Sequence, residues 1–251
     1  MKITEIRRDI DRLGPWFHDL ELDGERTAPD HPLGSFHHEL WGAIQGAFPA
    51  DLSGKTVLDI GCNAGFYSFK LAERGARVTG VDHDARYLAQ ARFAAEVLGF
   101  DLEFRQMEVY DLDRLGETYD YVLFMGVFYH LRHPLYGLEK AVARVREHFL
   151  FQTLVRGCAD HLDVAPDYPM GERAVFERPG FPAMYFVEHR YAGDPTNWWI
   201  PNDAAAAAVL RSCGLLVEHR LSSGLYVCRP EPGTGSRPDR SHVMAERGGM
   251  A

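Results

Sequence analysis

VLDIGCNAGFYS, Val57 to Ser68, runs from the apolar end of a strand through Gly61-Cys62-Asn63-Ala64-Gly65 into the start of a helix. In open α/β sheets, ligands bind beyond the carboxyl ends of the strands, where such loops lie. Gly61 and Gly65 let backbone approach a ligand with no Cβ in the way. Their G-x-x-x-G spacing is not the dinucleotide fingerprint G-x-G-x-x-G, and no G-K-[ST] follows to make a P-loop. Asn63 stands where a further glycine would be expected. Asparagine visits the left-handed backbone region cheaply and can bond its own turn, so φ > 0 is expected at Asn63.

Outward from this loop, two periods alternate. TVLDI, RVTGVD, LEFRQM, YDYVLFMGV and FLFQTLV read as strands. Between them, FYSFKLAERG and ARYLAQARFAAEVLG read as helices closed by Gly75 and Gly99. PLYGLEKAVARVREHF reads as a helix with Pro134 in its first turn. Such alternation predicts a parallel sheet covered on both faces. NDAAAAAVLRSCG reads as a further helix, and LLVEHRL and LYVCRP as a hairpin at the sheet edge. The expected fold class is therefore α/β, a Rossmann-like, seven-stranded, mostly parallel sheet with an antiparallel edge hairpin. Residues 1–50 hold Trp16, Phe17, Leu20, Leu22 and Phe36, too much apolar area to leave in water, and are expected to cap the mouth of a domain spanning 51–230. Residues 156–200, rich in Pro, Gly and acidic residues, read as a lid with one strand at MYFVEHR, and 231–251 as a disordered tail.

The charges around the loop narrow its ligand. Asp82 ends the second strand, 23 positions after Asp59, the separation at which an acidic residue meets the hydroxyls of a ribose. Asp59, Asp82, Asp84 and Glu108 all lie at strand ends. A pyrophosphate tolerates few carboxylates, whereas a ligand with positive charge and free hydroxyls suits them. S-adenosylmethionine (SAM) carries a sulfonium, an ammonium and a ribose.

VLDIGCNAGFYS, VTGVDHD, FRQMEVYDL and YDYVLFMGVFYHLRHP together resemble the successive motifs of class I SAM-dependent methyltransferases. The resemblance is strongest to the branch that includes the tRNA wobble-uridine carboxymethyltransferase, where MGVxYHxxxP follows the fourth strand. WFHDLELDGERTAPDHPLGSF and AGDPTNWWIP resemble a glycosyltransferase-associated bacterial subgroup of that branch. The resemblance spans roughly residues 10–228. It implies that Gly61 and the Asn63–Gly65 turn hold the methionyl part of SAM, with Asp59 orienting its ammonium through backbone or water. It further implies Asp82 on the ribose, His83 against the adenine, and Glu108 and Val109 at the adenine side. Met125, Gly126 and Tyr129 would line the methyl-transfer side, with His130 as a general base if the acceptor is a hydroxyl. One departure concerns the carboxymethyl-transferring relatives, which hold the extra carboxylate of carboxy-SAM with a lysine just before a Gly-Pro-aromatic turn. Here DRLGPWF has Leu13 there, with Arg12 one position earlier. Plain SAM is the expected cofactor.

The net charge of −9 argues against a nucleic-acid or anionic-membrane surface, so a small-molecule acceptor, a sugar or glycolipid precursor, is expected ahead of RNA. No apolar run approaches a membrane span. The N-terminus has no apolar signal segment, and the four scattered cysteines form no C-x-x-C pair, so a cytoplasmic protein with free thiols is expected. His130 and His133 lack an evident third ligand, so no metal site is expected. Trp198 and Trp199 serve either as a wall over substrate or as a lock between lid and domain. A nicotinamide oxidoreductase and a non-catalytic SAM-binding protein are the readings from other classes. The sequence leaves oligomeric state open.

Overall fold

The computed structural model describes residues 2–232, so nearly all of the tail expected to be disordered lies outside the described residues. The leader folds as helix α1 (Ile3–Leu13), a miniature hairpin of β1 (Glu21–Leu22) and β2 (Glu25–Arg26), and helix α2 (Phe36–Ile44). Ile6, Ile10, Trp16, Leu20 and Leu22 are buried in the same cluster as the domain core. Part of this packing lies on the helix over Ala85–Leu98. Trp16 meets Phe93 at 6.5 Å, and the buried Gln90 amide donates to the carbonyls of Leu13 and Pro15 at 2.8 and 2.9 Å.

The alternation follows as β3 (Thr56–Ile60), α3 (Phe66–Ala72), β4 (Arg77–Asp82), α4 (Ala85–Leu98), β5 (Glu103–Gln106), β6 (Tyr119–Met125), α5 (Pro134–Val142) and β7 (Val145–Gln152). A long excursion then holds β8 (Met184–Phe186) and β9 (Trp199–Pro201), paired antiparallel with each other. Helix α6 (Asp203–Ser212) leads into the hairpin β10 (Leu215–Ser222) and β11 (Leu225–Pro230). The main sheet runs β10-β11-β7-β6-β3-β4-β5. Its five strands from β7 to β5 are parallel, while β11 pairs antiparallel with both β7 and β10. This is the expected Rossmann-like architecture. Every residue of β3 and β6 is buried, because a parallel sheet is covered on both faces. The chain leaves β3 toward β4 on one side and returns as β6 on the other, so the switch-point crevice opens between β3 and β6.

Three boundaries differ from the sequence reading. The helix expected to run to Phe149 ends at Val142, and the strand expected over 149–155 spans Val145–Gln152. Cross-strand bonding overrides helical spacing there: Tyr119 N–H donates to the Arg144 carbonyl at 2.7 Å, and the Arg146 guanidinium reaches Asp120 Oδ1 at 2.9 Å. The strand expected over MYFVEHR stops at Phe186, after which the chain turns back through Ala192 and Gly193, both at positive φ.

Candidate functional site

The loop after β3 takes left-handed backbone at Gly61 (φ 71°), Asn63 (49°) and Gly65 (87°). Asn63 therefore has the conformation its residue type suggested, and its Oδ1 accepts the Ala64 N–H at 2.7 Å. A Cβ on Gly61 would lie 2.6 Å from Val127 Cγ2, so the site requires glycine for space as well as for φ. Gly61 and Cys62 donate to the Val81 carbonyl, Asn63 to Asp82 Oδ2, and Gly65 to the Cys62 carbonyl. Phe66 donates to His18 Nδ1 at 3.4 Å. All six N–H groups from Gly61 to Phe66 are thus committed within the protein. A pyrophosphate, which relies on such donors, would find none free.

Carboxylates line the same crevice. Asp82 accepts Asn63 N–H on one oxygen and Asp84 N–H on the other, each at 2.9 Å. Burial raises its carboxyl above the usual range. Asp59 lies beneath the loop, 2% exposed, with Ser68 Oγ donating to it at 2.7 Å, and burial pushes its carboxyl up to about 6. Asp84 instead caps α4, accepting from Arg86 N–H. His83 is exposed beside Asp82, with Nδ1 3.4 Å from Oδ1. Glu108 is exposed at the start of a 3-10 turn, and half-buried Val109 packs in the cluster on the other face of the sheet. Cys62 is buried, and that burial pushes its thiol well up, so it packs and does not react.

At the ends of β6 and β7 a second set of groups gathers. Met125 is buried at the end of β6, and Gly126 follows at φ 74°. A Cβ on Gly126 would lie 3.5 Å from the Tyr129 hydroxyl and 3.8 Å from Gln152 Oε1. Burial pushes the Tyr129 phenol up to about 12, so it is a neutral donor. Gln152 is 7% exposed, and its Oε1 has no partner among the described residues. Thr196 Oγ1 donates to Asp194 Oδ1 at 2.6 Å and lies 2.8 Å from His130 Nδ1. With its own proton spent on Asp194, Thr196 must accept from Nδ1–H, which leaves His130 Nε2 as the basic nitrogen. Burial lowers the His130 pKa, so the ring is neutral near pH 7.

The tryptophans act as the lock. Trp198 N–H donates to the Tyr129 carbonyl at 2.8 Å, and Trp199 Nε1 to the Arg132 carbonyl at 3.3 Å. The Arg132 guanidinium lies 4.4 Å from the Trp198 ring centre and 5.4 Å from that of Phe186. The excursion that carries β8 and β9 is thereby fastened to the turn that carries Tyr129 and His130. Sequence reasoning overlooked Gln152, Thr196, Asp194 and His18. Gln152 had a signal, since it is the polar residue ending the apolar run FLFQ. The others are joined to the site only by long-range contact. Among the described residues no group of three or more His, Cys, Asp or Glu is arranged to hold a metal ion, and no helix is long and apolar enough to cross a membrane.

The leader adds a histidine cluster. His18 and His37 are 5% and 1% exposed, with rings 5.0 Å apart, and His38 lies 4.6 Å from His37. His37 Nε2 accepts Asp19 N–H at 3.1 Å. Burial, helped by the neighbouring imidazoles, lowers His37 to about 4 and His18 well below its ordinary value; burial with Lys70 and Arg26 nearby lowers His38 too. A histidine whose folded pKa is depressed contributes stability above pH ~6.5 that is lost as pH falls toward the folded value. Asp59, raised to about 6, and Asp82, also raised, have the opposite sign and offset part of the loss, while the lowered His130 adds to it. Urea unfolding is expected to show a net loss of about 2–3 kcal/mol between pH 7.5 and pH 5. Equal stability at the two values would mean that burial in the fold does not lower the pKa of these imidazoles.

Residues 57–149 match the family model described as a methyltransferase domain. The chain is 33% identical over 193 residues to the tRNA U34 carboxymethyltransferase of Pseudomonas fluorescens, covering 72% of this chain and 57% of that one. It is 36% identical over 103 residues to the ubiquinone biosynthesis O-methyltransferase of a Methylobacterium species, covering 41% of each. Among solved structures, the N-terminal domain of EvdMO1 with SAH bound is similar over 92% of this chain and 97% of that one, with a TM-score of 0.62 and 23% identity, which is a likeness of fold. The chain spans between about a third and three fifths of the length of the first carboxymethyltransferase relatives it matches.

Proposed function

We propose that this chain, whose methyltransferase domain resembles the tRNA U34 carboxymethyltransferase branch of class I SAM-dependent enzymes, methylates a hydroxyl on a small molecule such as a sugar or glycolipid precursor. The crevice fits the cofactor on its own terms. It offers carboxylates to a ribose and an ammonium, and its loop N–H groups are all engaged, as no pyrophosphate site would have them. Asp82 would hold the ribose hydroxyls, Gly61, Asn63 and Gly65 the methionyl part, Asp59 the ammonium side, His83, Glu108 and Val109 the adenine side, and Met125 the floor. Bound there, SAM supplies an electrophilic methyl group on a sulfonium.

The acceptor reading rests on one observation, the basic nitrogen that His130 keeps past the end of β6. Thr196, its own proton given to Asp194, accepts from His130 Nδ1–H and leaves Nε2 unprotonated. An alcohol suits that nitrogen, because its hydroxyl must lose its one proton as the methyl group is transferred. Tyr129 orients the acceptor, His130 takes the proton, and the lid fastened through Trp198 and Trp199 excludes water. The second reading, RNA modification, is favoured by the names of the relatives and opposed by the charge of −9. Incubation with methyl-labelled SAM, offering free and nucleotide-linked sugars in one arm and total tRNA in the other, is expected to place label on the sugars. Label in tRNA alone would replace this reading with the second. Calorimetry with SAM, carboxy-SAM and NAD is expected to favour plain SAM; tight carboxy-SAM binding with weak SAM would reverse the cofactor assignment.

A further inference from the structure

His18 belongs to none of the motifs that the cofactor crevice uses, yet it touches the end of its loop. The ring is 5% exposed and enclosed by Phe17, His37, Phe66 and Tyr67. Because Nδ1 accepts the Phe66 N–H, it carries no proton, and the proton of the neutral ring sits on Nε2. No described residue pairs with Nε2. A nearly buried N–H donor therefore stands without an acceptor beside the first turn of α3.

The loop shows what that donor is for. A methionyl group ends in an ammonium and a carboxylate. The acidic residues of the crevice serve the first. For the second, the obvious donors are the N–H groups of the loop, and all six from Gly61 to Phe66 are engaged. The engagement of Phe66 by His18 moves the donor outward, since the imidazole takes up one N–H on one nitrogen and presents another on the far side of the ring. His37 and His38, packed against the same ring system, are themselves neutral, so they do not compete for an anion as charges. Tyr67, edge-on to His18 at 6.2 Å, continues this wall of the site.

We propose that His18 is a cofactor-binding residue whose Nε2–H receives the α-carboxylate of the methionyl group, so that the N-terminal leader completes the SAM site. The inference rests on the SAM reading above. Calorimetry of the full chain with S-adenosylhomocysteine and with 5′-methylthioadenosine, which lacks the amino-acid end, tests it in three forms: wild type, His18→Asn and His18→Gln. Asparagine keeps an acceptor for Phe66 N–H but falls short of the Nε2 position, whereas glutamine returns an N–H donor near it. His18→Asn is expected to weaken S-adenosylhomocysteine about tenfold with methylthioadenosine unchanged, and His18→Gln to recover part of the loss. Equal weakening of both ligands would mean that His18 only shapes the loop and would overturn the proposal, as would unchanged affinity for both. If wild type binds neither nucleoside, the SAM reading falls, and this inference with it.

Discussion

Replacing Asp82 with alanine is expected to weaken S-adenosylhomocysteine binding between ten- and a hundredfold. The carboxylate holds two backbone N–H groups, Asn63 and Asp84, at 2.9 Å each, while ending β4 beside the loop. Its loss leaves both donors unsatisfied and removes the acceptor proposed for the ribose hydroxyls. Hydrogen bonds to a charged group contribute about 1.5–3 kcal/mol each, and about 1.4 kcal/mol is tenfold in affinity. Asp82→Asn keeps the shape but turns a donor toward one of those N–H groups, so it should fall between wild type and alanine. Unlike His18→Asn, Asp82→Ala should weaken 5′-methylthioadenosine as well, because that ligand retains the ribose. Unchanged affinity for both would remove Asp82 from the ribose role.

The largest effect on stability is expected at Asp203, far along the chain from the loop. Its carboxylate has no exposure and accepts from Arg220 Nη2 (2.6 Å), Ser223 Oγ (2.7 Å), Gly224 N–H (3.0 Å) and Tyr226 Oη (2.8 Å). All four donors come from β10, β11 or the turn between them, so one side chain pins the edge hairpin to the start of α6. Burial alone would raise the carboxyl; the bonds from Ser223, Gly224 and Tyr226 and the charge of Arg220 hold it below the usual range instead. Asp203→Ala strands a half-exposed guanidinium, a hydroxyl, a phenol and a backbone N–H at once, and should cost about 3–4 kcal/mol in urea unfolding. Asp203→Asn should recover part of that. Because the folded pKa is depressed, this contribution is present above pH ~4 and disappears as pH falls through the folded value. A loss below about 1 kcal/mol would show that the hairpin is held by its apolar contacts alone.

How far each feature is legible in the sequence depends on how local its cause is. The strands TVLDI and YDYVLFM are apolar at most positions because both their faces are covered, and that reads directly. Helix termini at Gly99 and Pro134 read directly too, since a left-handed cap and a fixed φ belong to single residues. VREHF, by contrast, continues a helical spacing and becomes strand, because Tyr119 and Asp120 on the neighbouring strand, and Thr118 just before it, bond to this stretch and to Arg144. The same division runs through the site. Gly61, Asn63, Gly65 and Asp82 announce themselves by residue type and spacing, whereas the His130 tautomer depends on Thr196 and Asp194, 66 and 64 positions away.

The sequence by itself determined the strand–helix alternation, the left-handed loop and the acidic strand ends, because backbone conformation and side-chain charge are properties of residues and their neighbours. Only the tertiary structure decided that the loop N–H groups are all engaged, that Gln152 lacks a donor, and that His18 closes the end of the loop with one nitrogen left over. Those facts concern which polar groups remain unpaired after folding, and a hydrogen bond that joins residues 48 positions apart leaves no mark in the periodicity of either segment.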